Sequence, residues 1–294
     1  MVLVTGGTGF VGRNLVAELS RRGQKLRLLV RATSSLPQTN VPDIETAVGD
    51  VTQPQSLPQA LSEVDTVLHL AAIIREQRGA TFQKVNYQGT RDLVAAAKAA
   101  GVRRFLYMSN VGAGPDPAFP FLRSKWQAEE EVKASGLAYT IFRSSVIFGQ
   151  GDEFISTLAR LIKTMPLVPV IGSGQVRFQP VWVKDVAACI AATLDDAAAA
   201  GQTLCLGGPE HLTYEEMLDT IMTVLGLKRP KVHVPASLMR PVVWTMEKLL
   251  SHPPATSAQL AMLKMDNVTE LDAIEKRFGL KPTPLREGIA YLAK

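Results

Sequence analysis

The stretch TGGTGFVG, residues 5–12, has the residue types and spacing to hold a phosphate. It follows the apolar run VLVT and opens a helical pattern, so the chain turns there from a strand into a helix. Gly7, Gly9 and Gly12 satisfy GxGxxG, while Gly6, Gly9 and Gly12 satisfy GxxGxxG. Both spacings meet one need. The chain must turn sharply, let its backbone approach a pyrophosphate, and pack the helix closely on the strand. The helix N-terminus then offers free N–H groups and the positive end of its dipole. Gly6, Thr8, Gly9, Phe10, Val11 and Gly12 are the expected phosphate-binding set, and the expected ligand is a dinucleotide.

The end of the second strand chooses between cofactors. An acidic residue there bonds the adenosine ribose 2′-hydroxyl, whereas an arginine accommodates a 2′-phosphate. This chain reads LLVRATSS, with Arg31 nineteen residues after Gly12 and Thr33, Ser34 and Ser35 as further hydroxyl donors. That pattern favours NADP(H) over NAD(H). In AVGDVTQ, Asp50 and Val51 close a third strand. The Asp50 carboxylate either accepts from the adenine amino group or caps the following turn. In HLAA, Ala71 and Ala72 are small residues where a cofactor backbone would pass, and His69 reads as a satisfied core histidine. Cys189 and Cys205 lie in apolar contexts without metal-ligand spacing and read as buried thiols.

These residues need a frame. Apolar strand-like runs at 2–5, 25–30, 66–72, 104–109 and 138–144 alternate with helical patterns closed by Gly23, Gly101 and Gly136. Strands apolar on both faces, alternating with helices, predict an α/β fold with a doubly wound parallel Rossmann sheet. Residues 1–150 form the dinucleotide-binding domain, and 176–208 return to it. Residues 151–175 and 209–294 form a smaller, mostly helical substrate or partner region. The 294 residues, 46% hydrophobic and 20% charged, suit a well-buried soluble core. No apolar run reaches the length of a membrane span, and the start MVLVTGG lacks a basic leader, so the expectation is a complete cytoplasmic chain. The net charge of +5 is spread along the chain without a basic, aromatic-laced stripe, which argues against nucleic acid as a partner. In SLMRPVVWTMEKLL, residues 237–250, Leu238, Val242, Met246 and Leu249 mark one helical face. Met239, Val243, Trp244 and Leu250 widen it. A stripe that wide predicts a helix packed on all sides; docking to a partner or a membrane surface is the alternative.

TGGTGFVG, GDVT, DTVLHLAA, KVNYQGTRDLV, RFLYMSN, SKWQAEE, FRSSVIFGQGDEF and VWVKDVA occur in the order found in extended short-chain dehydrogenase/reductases. The chain resembles an atypical member of that NAD-dependent epimerase/NmrA-like group. Its tail, AMLKMDNVTELDAIEKRFGLKPTPLREGI, resembles the branch of the nucleotide-binding accessory subunit of respiratory complex I and its bacterial relatives. The resemblance implies a tyrosine that transfers a proton as hydride moves. It also implies a lysine four residues later that holds the nicotinamide ribose and lowers the tyrosine's pKa. Lys125 matches, but Phe121 stands at the tyrosine position and has no proton to give. Ser109 ends its strand and is expected on the cofactor surface, and Asn110 and Val111 stand where the family's other catalytic hydroxyl lies. Ser145 and Val146 would line the nicotinamide end, Asn86 would bond the strand-five backbone, and Trp182 would pack where many relatives have histidine.

The expected function is therefore an NADP(H)-binding accessory or assembly subunit of a quinone-linked electron-transfer complex, non-catalytic or weakly catalytic, with no catalytic residue assigned and no metal. It would be cytoplasmic, with peripheral attachment to the inner face of a membrane through a membrane-associated protein complex as a variant. The alternative is an NADPH-dependent reductase of a small carbonyl, quinone or isoprenoid-type substrate, its proton supplied by Lys125, Tyr107 or ordered water.

Overall fold

The computed structural model describes residues 1–32, 44–77, 79–250 and 256–293. The chain packs as two units, Met1–Arg143 with Val186–Leu204, and Ser144–Asp185 with Cys205–Lys294. The sequence reading set the first break at 150 and the return at 176–208. In the structure the first unit ends at Arg143 and takes back only 186–204.

The first unit begins with β1 (Val2–Thr5), buried along its length, then α1 (Phe10–Arg21) and β2 (Leu26–Val30). β3 (Ile44–Val48), the short helix α2 (Leu57–Ala60) and β4 (Thr66–His69) follow. A helix then runs from a π-helical turn at Gln83–Gln88 into α3 (Gly89–Ala99), before β5 (Arg104–Asn110), α4 (Pro120–Ala134) and β6 (Ala138–Ser144). The strand Gln202–Leu206 completes a seven-stranded sheet, in which β6, β5, β4, β1, β2 and β3 follow it in that order. The pairings among β3, β2, β1, β4 and β5 are parallel. The strand order reverses at β1, between β2 and β4, so the carboxyl ends of β1 and β4 mark the switch point where such sheets bind ligands.

Helix α1 follows from its sequence. Leu15, Val16 and Leu19 recur at helical spacing and are all buried with Gly12, whereas Val11 is only half-buried. Leu3, Val67 and Phe105 from three strands meet Leu57, Leu93, Val94 and Val132 from the covering helices in one core. Each fully buried side chain of this kind stabilises the fold by about 1.5–3 kcal/mol. β3, at the sheet's edge, is largely exposed, with Val48 67% accessible. Arg27 of β2 crosses to Glu45 of β3 at 2.7 Å, a charged pair that suits an edge strand.

The second unit packs its own core around Phe148, Ile155, Ile162, Val170, Met217 and Ile221. Its expected mostly helical character holds for Phe154–Thr164, Tyr214–Val224 and Ala236–Leu249. The strand Lys231–Val234 was not foreseen; it pairs in parallel with Val168–Ile171. Cys189 is buried as expected, but Cys205 is only half-buried.

Candidate functional site

The glycines of the loop between β1 and α1 divide their work. Gly6 has φ +71°, and a Cβ there would lie 2.7 Å from the backbone nitrogen of Ala71. A Cβ on Gly12 would lie 2.1 Å from the carbonyl oxygen of Gly6. Both positions are closed by the fold itself, one by conformation and contact, the other by contact alone. Gly9 differs: it is exposed, has φ −74°, and a Cβ there meets only the Gly6 oxygen, at 3.3 Å. Gly9 is the N-cap of α1 and, having no side chain, makes no cap hydrogen bond of its own. The first ladder bond there runs from the Arg13 N–H to the Gly9 carbonyl at 2.9 Å, which leaves the N–H groups of Phe10, Val11 and Gly12 at the free end of the helix. This is a bare, positively polarised cradle that fits a pyrophosphate. Thr8 and Phe10 are half-buried beside it.

Around the switch point, Thr5 Oγ1 accepts the Ala71 N–H at 3.3 Å, tying β1 to the chain that leaves β4. Ala71 is half-buried and Ala72 exposed, so small side chains cover that stretch. At Asp50, Oδ1 accepts both the N–H and the hydroxyl of Thr52 at 2.8 Å, which makes it a turn cap. A carboxylate has acceptor capacity left after two such bonds, so the adenine role stays open to Asp50. Val51 is buried against Gly89. Arg31 is exposed just past β2. Thr33, Ser34 and Ser35 lie outside the described residues.

Along α4, Phe121, Lys125 and Glu129 recur every fourth residue on one face and are all buried. Phe121 packs edge-on against Phe82, ring centres 5.6 Å apart, so it fills its place as a core aromatic. Lys125 Nζ donates to the Met108 carbonyl at 2.5 Å and lies 4.4 Å from the centre of the Tyr107 ring. Burial brings its ammonium down to about 7, against the pull of Glu129. Only one of its three protons is taken by Met108, so it can still donate to a ribose hydroxyl.

Ser109, expected on the cofactor surface, has a fully buried hydroxyl that donates to Glu129 Oε1 at 2.5 Å. Arg143 closes the same carboxylate at 2.6 Å. Sequence reasoning passed over Glu129 because QAEEE offers three consecutive glutamates. The available signal was its spacing, four residues beyond Lys125. Asn110 and Val111 are half-buried after Ser109. Asn86 is architectural as expected, but with a different partner. It accepts the Ile73 N–H at 2.8 Å and donates to the Ile73 carbonyl at 3.0 Å, past the end of β4.

His69 is the satisfied core histidine foreseen, held between the hydroxyls of Thr5 at 2.6 Å and Thr90 at 2.9 Å. Burial, helped by the Lys125 charge, drives its pKa down to about 3. Tyr107 stacks on it at 5.6 Å and is 1% exposed. Burial pushes its phenol far above the ordinary range, opposed only in part by Thr90, so Tyr107 is poorly placed to deliver a proton.

Ser145 and Val146 belong to the second unit. The Ser145 hydroxyl is turned onto Asn267, 2.7 Å from its side-chain oxygen, and Val146 packs against that unit's core. Trp182 packs there too.

Residues 2–207 match the NAD dependent epimerase/dehydratase family. The chain is 26% identical over 275 residues to the Arabidopsis thaliana NADH dehydrogenase (ubiquinone) 1 alpha subcomplex subunit 9, mitochondrial, covering 91% of this chain and 68% of that one. It is 31% identical over 276 residues to a 3-beta-hydroxysteroid dehydrogenase of Mycolicibacterium neoaurum, covering 81% and 74%. The UDP-glucose 4-epimerase of Thermus thermophilus, solved in complex with NAD, shares the fold with a TM-score of 0.77, at 21% identity over 99% of this chain and 97% of that one.

Proposed function

From the premise that this chain belongs to the NAD dependent epimerase/dehydratase family, we propose that it binds NADP(H) but does not run the family's usual chemistry at an ordinary rate. It serves instead as an accessory or assembly subunit of a quinone-linked electron-transfer complex, lying against the inner face of a membrane through that complex. One observation carries the reading. The dinucleotide cradle and Lys125 are kept, while Phe121 stands buried against Phe82 where a proton donor is needed. The kinship with a subunit named for a ubiquinone-linked NADH dehydrogenase supplies the kind of complex.

Each residue then has a stated task. The N–H groups of Phe10, Val11 and Gly12 receive the pyrophosphate, and Gly9 leaves the room for it. Arg31 receives the 2′-phosphate, the free acceptor sites of Asp50 face the adenine amino group, and Ala71 and Ala72 allow close passage. Lys125 holds the nicotinamide ribose. A bound nicotinamide can supply or accept a hydride; Phe121 has no hydroxyl to move the accompanying proton.

The second reading is an NADPH-dependent reductase of a small carbonyl, quinone or isoprenoid-type substrate. It draws on Lys125, whose pKa near 7 is suited to proton donation at neutral pH. Single-turnover oxidation of NADPH separates the two, measured for the parent, Lys125→Met and Phe121→Tyr against quinones and aldehydes. Under the accessory reading the parent stays well below about 1 per second. Phe121→Tyr then gains little, since Asn110 and Val111 still offer no catalytic hydroxyl and such groups act as a unit. A parent rate at or above that level, lost in Lys125→Met, would establish the reductase.

A further inference from the structure

The helix Ala236–Leu249 was expected to be packed on all sides, and the structure overturns that expectation. Of its residues only Val243 is buried, at 1% exposure. The side opposite Val243 carries Leu238, Val242, Thr245 and Leu249 at i, i+4, i+7 and i+11, and all four are exposed. Leu238 is 63% accessible and Leu249 78%. Trp244, 59% accessible, extends the apolar surface along the flank. A helix that turns one valine inward and a stripe of larger apolar groups outward leaves an interaction surface.

The charges on the rest of this helix and on the helix beside it indicate the occupant. Arg240 and Lys248 lie on exposed positions of the helix, and Lys248 Nζ reaches 5.8 Å from the Trp244 ring centre. Glu247, the one acid among the described residues of this helix and of Ser257–Met262, is paired with the facing helix: its oxygens accept the Ser257 N–H at 2.9 Å and hydroxyl at 2.5 Å. Between the two helices lies a cavity of about 380 Å³ whose walls include Arg240, Pro241, Trp244, Leu260, Ala261 and Lys264. Two cations over an apolar floor, with no acid among the described lining residues, fit a phosphate group joined to hydrocarbon. A helix of 14 residues is too short to cross a bilayer, and no helix among the described residues is long and apolar enough to do so. Exposed leucine, valine and tryptophan flanked by lysine and arginine are the composition of a helix that lies in the interface plane.

We infer that Ala236–Leu249 is a membrane-surface helix that rests on an anionic phospholipid bilayer, with Arg240 and Lys264 receiving a lipid phosphate beside Trp244. The inference stands without the dinucleotide, because the surface contains none of the residues assigned to it.

The test is co-sedimentation of the full chain with vesicles of phosphatidylcholine alone or with one third phosphatidylglycerol. The parent is expected to sediment with the anionic vesicles, to be released by salt, and to stay in solution with neutral ones. Val242→Glu with Leu249→Glu should abolish binding, and Arg240→Ala with Lys264→Ala should lower the partition coefficient roughly tenfold or more. Inorganic phosphate at matched ionic strength should not displace the protein. Trp244 emission should shift to the blue on binding, a shift absent in Trp244→Phe; this readout keeps the inference testable if the glutamate variant fails to fold. Retention in solution with both vesicle types would overturn it, as would equal binding by a folded glutamate variant. Displacement by inorganic phosphate would assign the cavity to a free anion instead. A concentration-dependent dimer, broken by the glutamate pair and indifferent to vesicles, would assign the face to a second copy of the chain.

Discussion

The loop Thr5–Gly12 and the helix Ala236–Leu249 treat space in opposite ways. In the loop, Gly6 and Gly12 are pressed against backbone so closely that neither admits a Cβ, and only Gly9 opens outward. In the helix, Val243 alone is enclosed, and the larger apolar side chains face away from the fold. The loop is a cradle finished by its own backbone, ready for a small charged group. The helix is a surface unfinished by its own chain, suited to something broad and apolar. In the loop exposure is confined to Gly9, and in the helix it spans an entire face.

Substitution in the loop should break this contrast most severely. Gly12→Ala places a methyl 2.1 Å from the Gly6 oxygen and is expected to cost on the order of 4 kcal/mol or more, read from denaturant unfolding. Gly9→Val should change stability by less than about 1 kcal/mol yet remove NADPH binding in calorimetry. A stable Gly12→Ala, or a Gly9→Val that binds as the parent does, would erase the division between structural and ligand-facing glycines.

Behind the loop, the buried bases should write themselves into the pH dependence of stability. His69 has a folded pKa of about 3 against 6.5 when free. As pH falls through that window the unfolded chain takes up a proton that the folded chain refuses. Stability is therefore complete above pH 6.5 and is lost toward pH 3, by on the order of 5 kcal/mol. Lys125 follows the same sign at higher pH. Its folded pKa is about 7 against 10.5 when free, so stability should rise from pH 7 to pH 10.5. Thermal unfolding of His69→Leu and Lys125→Met across both windows tests this; each variant should lose its own limb and keep the other.

Cofactor choice is a smaller effect. NADPH should bind more tightly than NADH, and Arg31→Asp should reverse the order by about 1–3 kcal/mol. Equal affinities in the parent would remove Arg31 from the site. The smallest change belongs to the helix. Leu249→Ser should alter stability by no more than about 0.5 kcal/mol, whereas Val243→Ala, on the enclosed side, should cost about 2 kcal/mol. Comparable losses at both would mean that the outer face is packed after all.

Much was legible before any coordinates. Alternating apolar runs and helical stripes, punctuated by Gly23, Gly101 and Gly136, prescribe the parallel sheet and its helices, because each signal acts within a few residues. The glycine spacing announces the phosphate loop, and the Phe121–Lys125 pair announces the missing acid, since both depend on neighbours within a turn or two. Tertiary structure decided the rest. Which glutamate of QAEEE enters the core depends on Ser109 and Arg143, which reach it from β5 and β6. That Ser109 turns away from the candidate surface follows from the same contact. Whether the stripe at 237–250 is covered depends on how many elements pack on that helix, and periodicity reports a face without reporting its partner. Local pattern determines what each segment can become; burial, which belongs to the whole chain, determines which of its groups are left to act.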